Sequence, residues 1–154
     1  MMNLCKAVLG ALNGKTLATA ESCTGGMIGS MITAVPGSSK VYKGGIISYT
    51  NSVKESQLGV SAVDLNEHGA VSEPVAIAMA KGAMERLSAD IAVSVTGLAG
   101  PDGDDRGNTV GTVFIGYADA KVLLAKKFRF DGGRQQVRNA AAREALQLIL
   151  EMQK

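Results

Sequence analysis

Tryptophan is missing from this 154-residue chain, and aromatic residues reach only 4%. Three Phe and three Tyr give no stacking platform for exposed bases. A net charge of +2 supplies no basic footprint, so no nucleic-acid partner is expected. A single His and two cysteines, Cys5 and Cys23, fall short of the usual zinc sets, so no metal and no cofactor are expected. Long apolar runs are lacking too. None approaches the roughly 18 residues of a membrane span. Met1 to Leu12 is too short and too polar for a signal-peptide core. The expectation is a cytoplasmic protein with reduced thiols and no membrane partner.

What is present suits one domain over residues 1–154. Hydrophobic residues make up 46% of the chain, and the core must be built from Ala, Val, Ile, Leu and Met. The 19 glycines cluster in short loops, without a repeat. Asn3 to Leu12 reads as an amphipathic helix closed by Gly14. Gly10 to Thr16 imitates a phosphate loop, but its glycine spacing is one residue short and it leads into a strand. Thr16 to Ala20 reads as that strand, and Gly25 to Val35 as a helix stopped by Pro36-Gly37. Val41 to Thr50 holds a second strand, bent at Gly44-Gly45. Ser52 to Glu55 matches a capping box for a helix ending by Gly59. Ser61 to His68 reads as a turn or short helix. Ser72-Glu73-Pro74 opens a longer helix that runs to about Ser88.

The second half is richer in strands. Asp90 to Thr96 alternates large and small residues, which lets a helix pack closely on one face. Gly97 to Asn108 is a loop whose Asp102, Asp104 and Asp105 do not follow EF-hand spacing. Val110 to Tyr117 and Val122 to Phe130 form a hairpin, and Arg134 to Met152 a closing helix. This order predicts a three-layer α/β/α domain with a mixed sheet.

The chain is organised around Ala20-Glu21-Ser22-Cys23-Thr24-Gly25-Gly26, a turn between a strand and a helix. Ser22 carries a nucleophilic hydroxyl there, and Gly25 and Gly26 leave room for a ligand. N–H groups from Thr24 to Gly26 would face an anion or an oxyanion. A plain N-cap role for Ser22 or Thr24 stands beside that reading. Tyr49 to Lys54, Thr96 to Pro101 and Gly132 to Arg134 lie at comparable strand ends or helix starts. Together they gather Ser22, Tyr49, Lys54, Thr96 and Arg134. Lys54 is the base for Ser22 if burial lowers its pKa from about 10.4. The alternative for Lys54 is a solvated helix face, and for Arg134 a surface ion pair. His68, before Gly69, is expected at a helix end on the surface.

Five segments carry a resemblance: Glu21 to Gly26, Val35 to Ser39, Tyr49 to Lys54, Gly69 to Glu73 and Val95 to Pro101. In this order they resemble the CinA C-terminal domain family of nicotinamide-nucleotide amidases, in register from about Leu4 to Leu150. The resemblance implies hydrolysis of the nicotinamide mononucleotide carboxamide, giving nicotinic acid mononucleotide and ammonia, in pyridine-nucleotide salvage. It implies Ser22 as nucleophile, Lys54 as general base and Tyr49 as their partner. Thr24, Gly25, Gly26, Thr96, Gly97 and Arg134 would bind substrate, with Arg138 as the fallback for the phosphate. A homodimer is also implied, and so is a stand-alone enzyme or an excised domain. Asn108-Thr109 departs from the Lys-Pro pair of many relatives. A nucleotide-binding or partner-recruiting module without catalysis is the alternative function.

Overall fold

The structure is a computed structural model that describes residues 1–154. Five strands form one sheet: β1 (Leu17–Glu21), β2 (Tyr42–Ile47), β3 (Ile91–Gly97), β4 (Thr112–Ala118) and β5 (Leu123–Arg129). Their order across the sheet is β2-β1-β3-β4-β5. β1 runs parallel to β2 and β3, while β4 and β5 follow as antiparallel neighbours. The sheet is therefore mixed, as the terminal hairpin predicts. Its edge strand β2 is irregular: the pairing with β1 jumps from Tyr42 to Gly44, which leaves Lys43 unpaired.

Six helices cover the sheet: α1 (Met2–Ala11), α2 (Met27–Thr33), α3 (Asn51–Leu58), α4 (Ala62–His68), α5 (Glu73–Arg86) and α6 (Arg134–Met152). A core of 23 buried residues lies between one sheet face and α1, α2 and α6. On the other face, a second core of nine buried residues lies under α3, α4 and α5. Alternation along the strands separates the two. Leu17, Ile91, Val93 and Val95 enter the first core, and Ala18, Ala20 and Ala92 the second.

The small residues on the second face bring α5 close. Ser94 donates its hydroxyl to the Ala76 carbonyl at 2.6 Å. A Cβ at Gly116 would stand 2.3 Å from that same carbonyl oxygen. The packing expected from the pattern of Asp90 to Thr96 is therefore realised.

Several boundaries differ from expectation. β1 runs on to Glu21, so Ser22 is the first residue beyond the strand. α2 starts at Met27 rather than Gly25, because Gly25 and Gly26 adopt left-handed φ of +61° and +103°. The Ser52 capping box does not form. Thr50 is the N-cap, and Ser52 lies inside α3. Ser72 does stand at the N-cap of α5, yet its hydroxyl donates to the Gly69 carbonyl instead of capping the helix. Ser61 caps α4 in the usual way, accepting the Asp64 N–H at 3.0 Å. The region from Ser61 to His68 is thus a helix.

The chain leaves β1 toward β2 on one side, then crosses back to β3 on the other. Right-handed crossovers put the connecting helices on opposite faces, which opens a crevice at the carboxyl ends of β1 and β3.

Candidate active site

Ser22 is fixed at that crevice by its N–H, which donates to the Val95 carbonyl of β3 at 3.0 Å. Lys54 sits in the first turns of α3 and reaches inward. Its Nζ lies 2.9 Å from Ser22 Oγ, 2.7 Å from the Ser48 carbonyl and 3.3 Å from the Tyr49 carbonyl. Lys54 is only 1% exposed, and none of the chain's ion pairs includes it. Burial without an acid partner pushes its pKa down to about 8. The amine donates to the two carbonyls and to Ser22 Oγ; once neutral, it can offer its lone pair to the Ser22 hydroxyl instead.

A cleft of about 290 Å³ opens over this pair. Its walls include Ser22, Cys23, Tyr49, Lys54, Thr96, Gly97 and Arg134, with Ala70, Val71, Leu98, Ala99, Gly100 and Asp102. The structure thus brings together six of the residues expected at a site. Thr24, Gly25 and Gly26 do not line the cleft. Thr24 is fully buried, and the Gly25 N–H is spent on the Ser22 carbonyl at 3.1 Å. A larger hollow, about 880 Å³, lies at the opposite end of the strands, around Lys15, Asp90 and Lys121. It holds no nucleophile beside a base, so the smaller cleft is the candidate active site.

The side chains reach their targets in ways the sequence did not announce. The Tyr49 hydroxyl accepts from Arg134 at 3.1 Å rather than touching Lys54. Only its carbonyl holds the amine. Arg134 also donates to the Gly100 carbonyl. Thr96 spends its hydroxyl on the Ala70 carbonyl at 2.8 Å, tying two walls of the cleft. Arg138, the fallback phosphate ligand, faces backbone instead. Its guanidinium donates to the carbonyls of Cys23 at 2.9 Å and Thr24 at 3.3 Å.

Glu21 is the residue that sequence reasoning missed. Its carboxylate is 2% exposed and accepts the N–H groups of Ile28 at 2.9 Å and Gly29 at 3.1 Å. The N-cap of α2 is Gly26, which has no side chain to do this. The expected anion position at the start of α2 is therefore already filled by the protein's own carboxylate. A cap glycine with an acid just upstream is the signal that was available.

Asn108 holds its loop. Its side chain donates to Asp104 at 2.7 Å and to the Val71 carbonyl at 3.3 Å. Loop order here is thus kept without a Lys-Pro pair. His68 ends α4 on the surface, as expected, 3.7 Å from Glu67. Cys23, beside the nucleophile, is 7% exposed, and burial pushes its thiol up to about 11.

The chain matches the model of the CinA C-terminal domain over residues 3–153. It is 47% identical over 136 residues to a CinA-like protein of Gemmatimonas aurantiaca, covering 88% of this chain and 32% of that one. A CinA-like protein of Salinibacter ruber is 46% identical over 145 residues, covering 92% and 35%. The chain thus spans about a third of the length of these curated relatives. Among solved structures, a competence-damaged protein (CinA) superfamily protein from Klebsiella pneumoniae superposes with a TM-score of 0.96 at 32% identity, covering 99% of this chain and 96% of that one. The competence/damage inducible protein CihA from Agrobacterium tumefaciens gives 0.95 at 37%, covering 99% and 95%.

Proposed function

The chain belongs to the CinA C-terminal domain family, and on that premise we propose that it hydrolyses the carboxamide of nicotinamide mononucleotide by covalent catalysis. The observation that carries this reading is the buried Lys54 amine, 2.9 Å from Ser22 Oγ and without an acid partner. Burying a lysine without a counter-charge is costly, and the cost has a use if a neutral amine must act near neutral pH.

Ser22 attacks the carboxamide carbon while Lys54 takes the hydroxyl proton. The tetrahedral oxyanion collapses, Lys54 returns the proton to the leaving nitrogen, and ammonia departs. Water then cleaves the Ser22 ester by the reverse roles, releasing nicotinic acid mononucleotide. The Ser48 and Tyr49 carbonyls hold the amine in place throughout. Arg134, at the cleft wall and braced by Tyr49 and Gly100, is the group suited to the substrate phosphate.

The test is ammonia release from the mononucleotide, read by a coupled enzyme. Wild type should release it, and Ser22→Ala should lose several powers of ten. Near-normal turnover in Ser22→Ala would sink the mechanism. Tight nucleotide binding with no ammonia from wild type would assign the cleft to a binding module instead.

A further inference from the structure

Beyond the end of β1, the edge of β3 has no partner strand. Val95 turns its carbonyl to the β1 side, where it accepts the Ser22 N–H at 3.0 Å. Leu98 turns its N–H and its carbonyl to the β4 side, where they meet the Thr112 carbonyl at 2.9 Å and the Gly111 N–H at 2.8 Å. Successive residues of a strand bond to alternate neighbours, so the Gly97 N–H points to the β1 side, as Val95 does.

In a parallel ladder, one residue donates to a carbonyl of its neighbour and accepts the N–H two positions further on. The pairing of Glu21 with Val95 makes Ser22 that residue, set between Val95 and Gly97. Ser22 keeps only the first bond. β1 has ended at Glu21, and the Ser22 carbonyl turns away to accept the Gly25 N–H at 3.1 Å. The Gly97 N–H is left beside Ser22 without an acceptor, on a residue that lines the cleft with Ser22 and Lys54. Packing keeps the position a glycine. A Cβ there would stand 2.6 Å from Val113 Cγ2 and 2.9 Å from the Thr112 carbonyl oxygen. A backbone donor without a partner costs stability, and a ligand oxygen in the cleft would satisfy it.

We infer that the Gly97 N–H is the oxyanion donor for attack by Ser22, with the substrate carbonyl set against the free edge of β3 where β1 stops. This rests on the acyl-transfer reading above. As the Oγ–C bond forms, Lys54 takes the hydroxyl proton and the carbonyl π pair moves onto oxygen. That oxygen gains charge in front of a donor already fixed by the sheet, so the contact is stronger in the transition state than in the ground state. The hole therefore belongs to β3 and not to the turn after Ser22, where Thr24, Gly25 and Gly26 do not line the cleft.

No side-chain substitution removes a backbone N–H. The test therefore replaces Gly97 by glycolic acid in the full chain, which puts an ester oxygen where the N–H was. In that chain kcat for ammonia release should fall roughly a hundredfold, the scale of one oxyanion donor, with KM changed by less than about threefold. The same factor should appear on the dephosphorylated riboside. Its urea midpoint should stay closer to wild type than that of a chain with leucic acid at Leu98, whose N–H is bonded to β4. Lactic acid at Ala99, further along the edge from Ser22, should leave kcat within about threefold. Unchanged kcat in the Gly97 ester, or an equal loss in the Ala99 ester, would overturn the proposal.

A second readout uses the unmodified chain and needs no mononucleotide. An alkyl fluorophosphonate forms an Oγ–P bond at Ser22 as the P–F bond breaks; fluoride leaves and Lys54 takes the proton. The phosphoryl oxygen of the adduct then occupies the oxyanion position. In NMR spectra the Gly97 amide proton should move downfield on labelling and exchange more slowly with water, while the Leu98 amide should move much less. A Gly97 amide that does not respond in the labelled protein would overturn the proposal, even where the ester chain fails to fold. Wild type that labels and shifts this amide while releasing no ammonia would remove only the substrate assignment. Wild type that does not label would remove the nucleophile and this inference together.

Discussion

The phenol oxygen of Tyr49 lies 3.1 Å from the Arg134 guanidinium, joining the loop after β2 to the first residue of α6. The same guanidinium binds the Gly100 carbonyl after β3. One side chain therefore bridges both loops that wall the cleft, and the remaining N–H groups of Arg134 are available to an anion.

Arg134→Ala should cut kcat/KM on the mononucleotide by at least roughly thirtyfold, the size of a lost charge-assisted contact. The riboside, already a poor substrate, should barely change. Tyr49→Phe should show a smaller loss of the same kind, because it frees the guanidinium without removing it. Steady-state kinetics on both substrates check this. Equal harm to both by Arg134→Ala would mean that Arg134 serves the chemistry or the fold.

The pH profile follows from Lys54. Its folded pKa is lowered to about 8 by burial, so the reactive neutral form grows as pH rises through that value. The kcat/KM profile of the free enzyme should rise with a midpoint near 8 and level off above it. A flat profile between pH 6 and 9 would exclude Lys54 as the base.

The same shift has a stability sign. Lys54 binds its proton less tightly in the folded state than at the ordinary value of 10.5. Below about pH 8 both states are protonated, and the penalty of burying the charge is constant. Between about 8 and 10.5 only the unfolded chain holds the proton, so stability rises with pH. Urea midpoints of wild type should gain on those of Lys54→Met across that window. Parallel curves would contradict it.

Glu21→Ala should destabilise the fold by about 2–4 kcal/mol, since the buried Ile28 N–H and the half-buried Gly29 N–H lose their shared acceptor. Glu21→Gln keeps one acceptor and should cost less. Denaturant unfolding measures both, and a cost below about 0.5 kcal/mol for Glu21→Ala would show that α2 caps itself by other means.

Legibility from sequence followed how local each signal is. The start of α6 at Arg134 was plain, because Gly132-Gly133 and the helical repeat are adjacent in the chain. The same holds for the β4–β5 hairpin. α2 was placed to within two residues, but its cap was not seen, because the capping group comes from Glu21, on a strand, and not from its own first turn. Lys54 and Ser22 were recognisable as a pair, while the carbonyls of Ser48 and Tyr49 that hold the amine were not. Backbone acceptors leave no mark on residue identity. Arg138, the fallback for the phosphate, shows the same thing: an arginine bonded to carbonyls reads in sequence like one facing an anion.

Burial of Cys23 also decides how the site meets oxidants. A thiol next to a reactive hydroxyl would ordinarily be the first casualty of peroxide, because thiolate is the form that reacts. Here the sulfur stays protonated up to about 11 and is almost closed to solvent. In the proposed mechanism the oxygen beside it carries the reactivity, so the two neighbours would divide nucleophilicity and redox inertness between them.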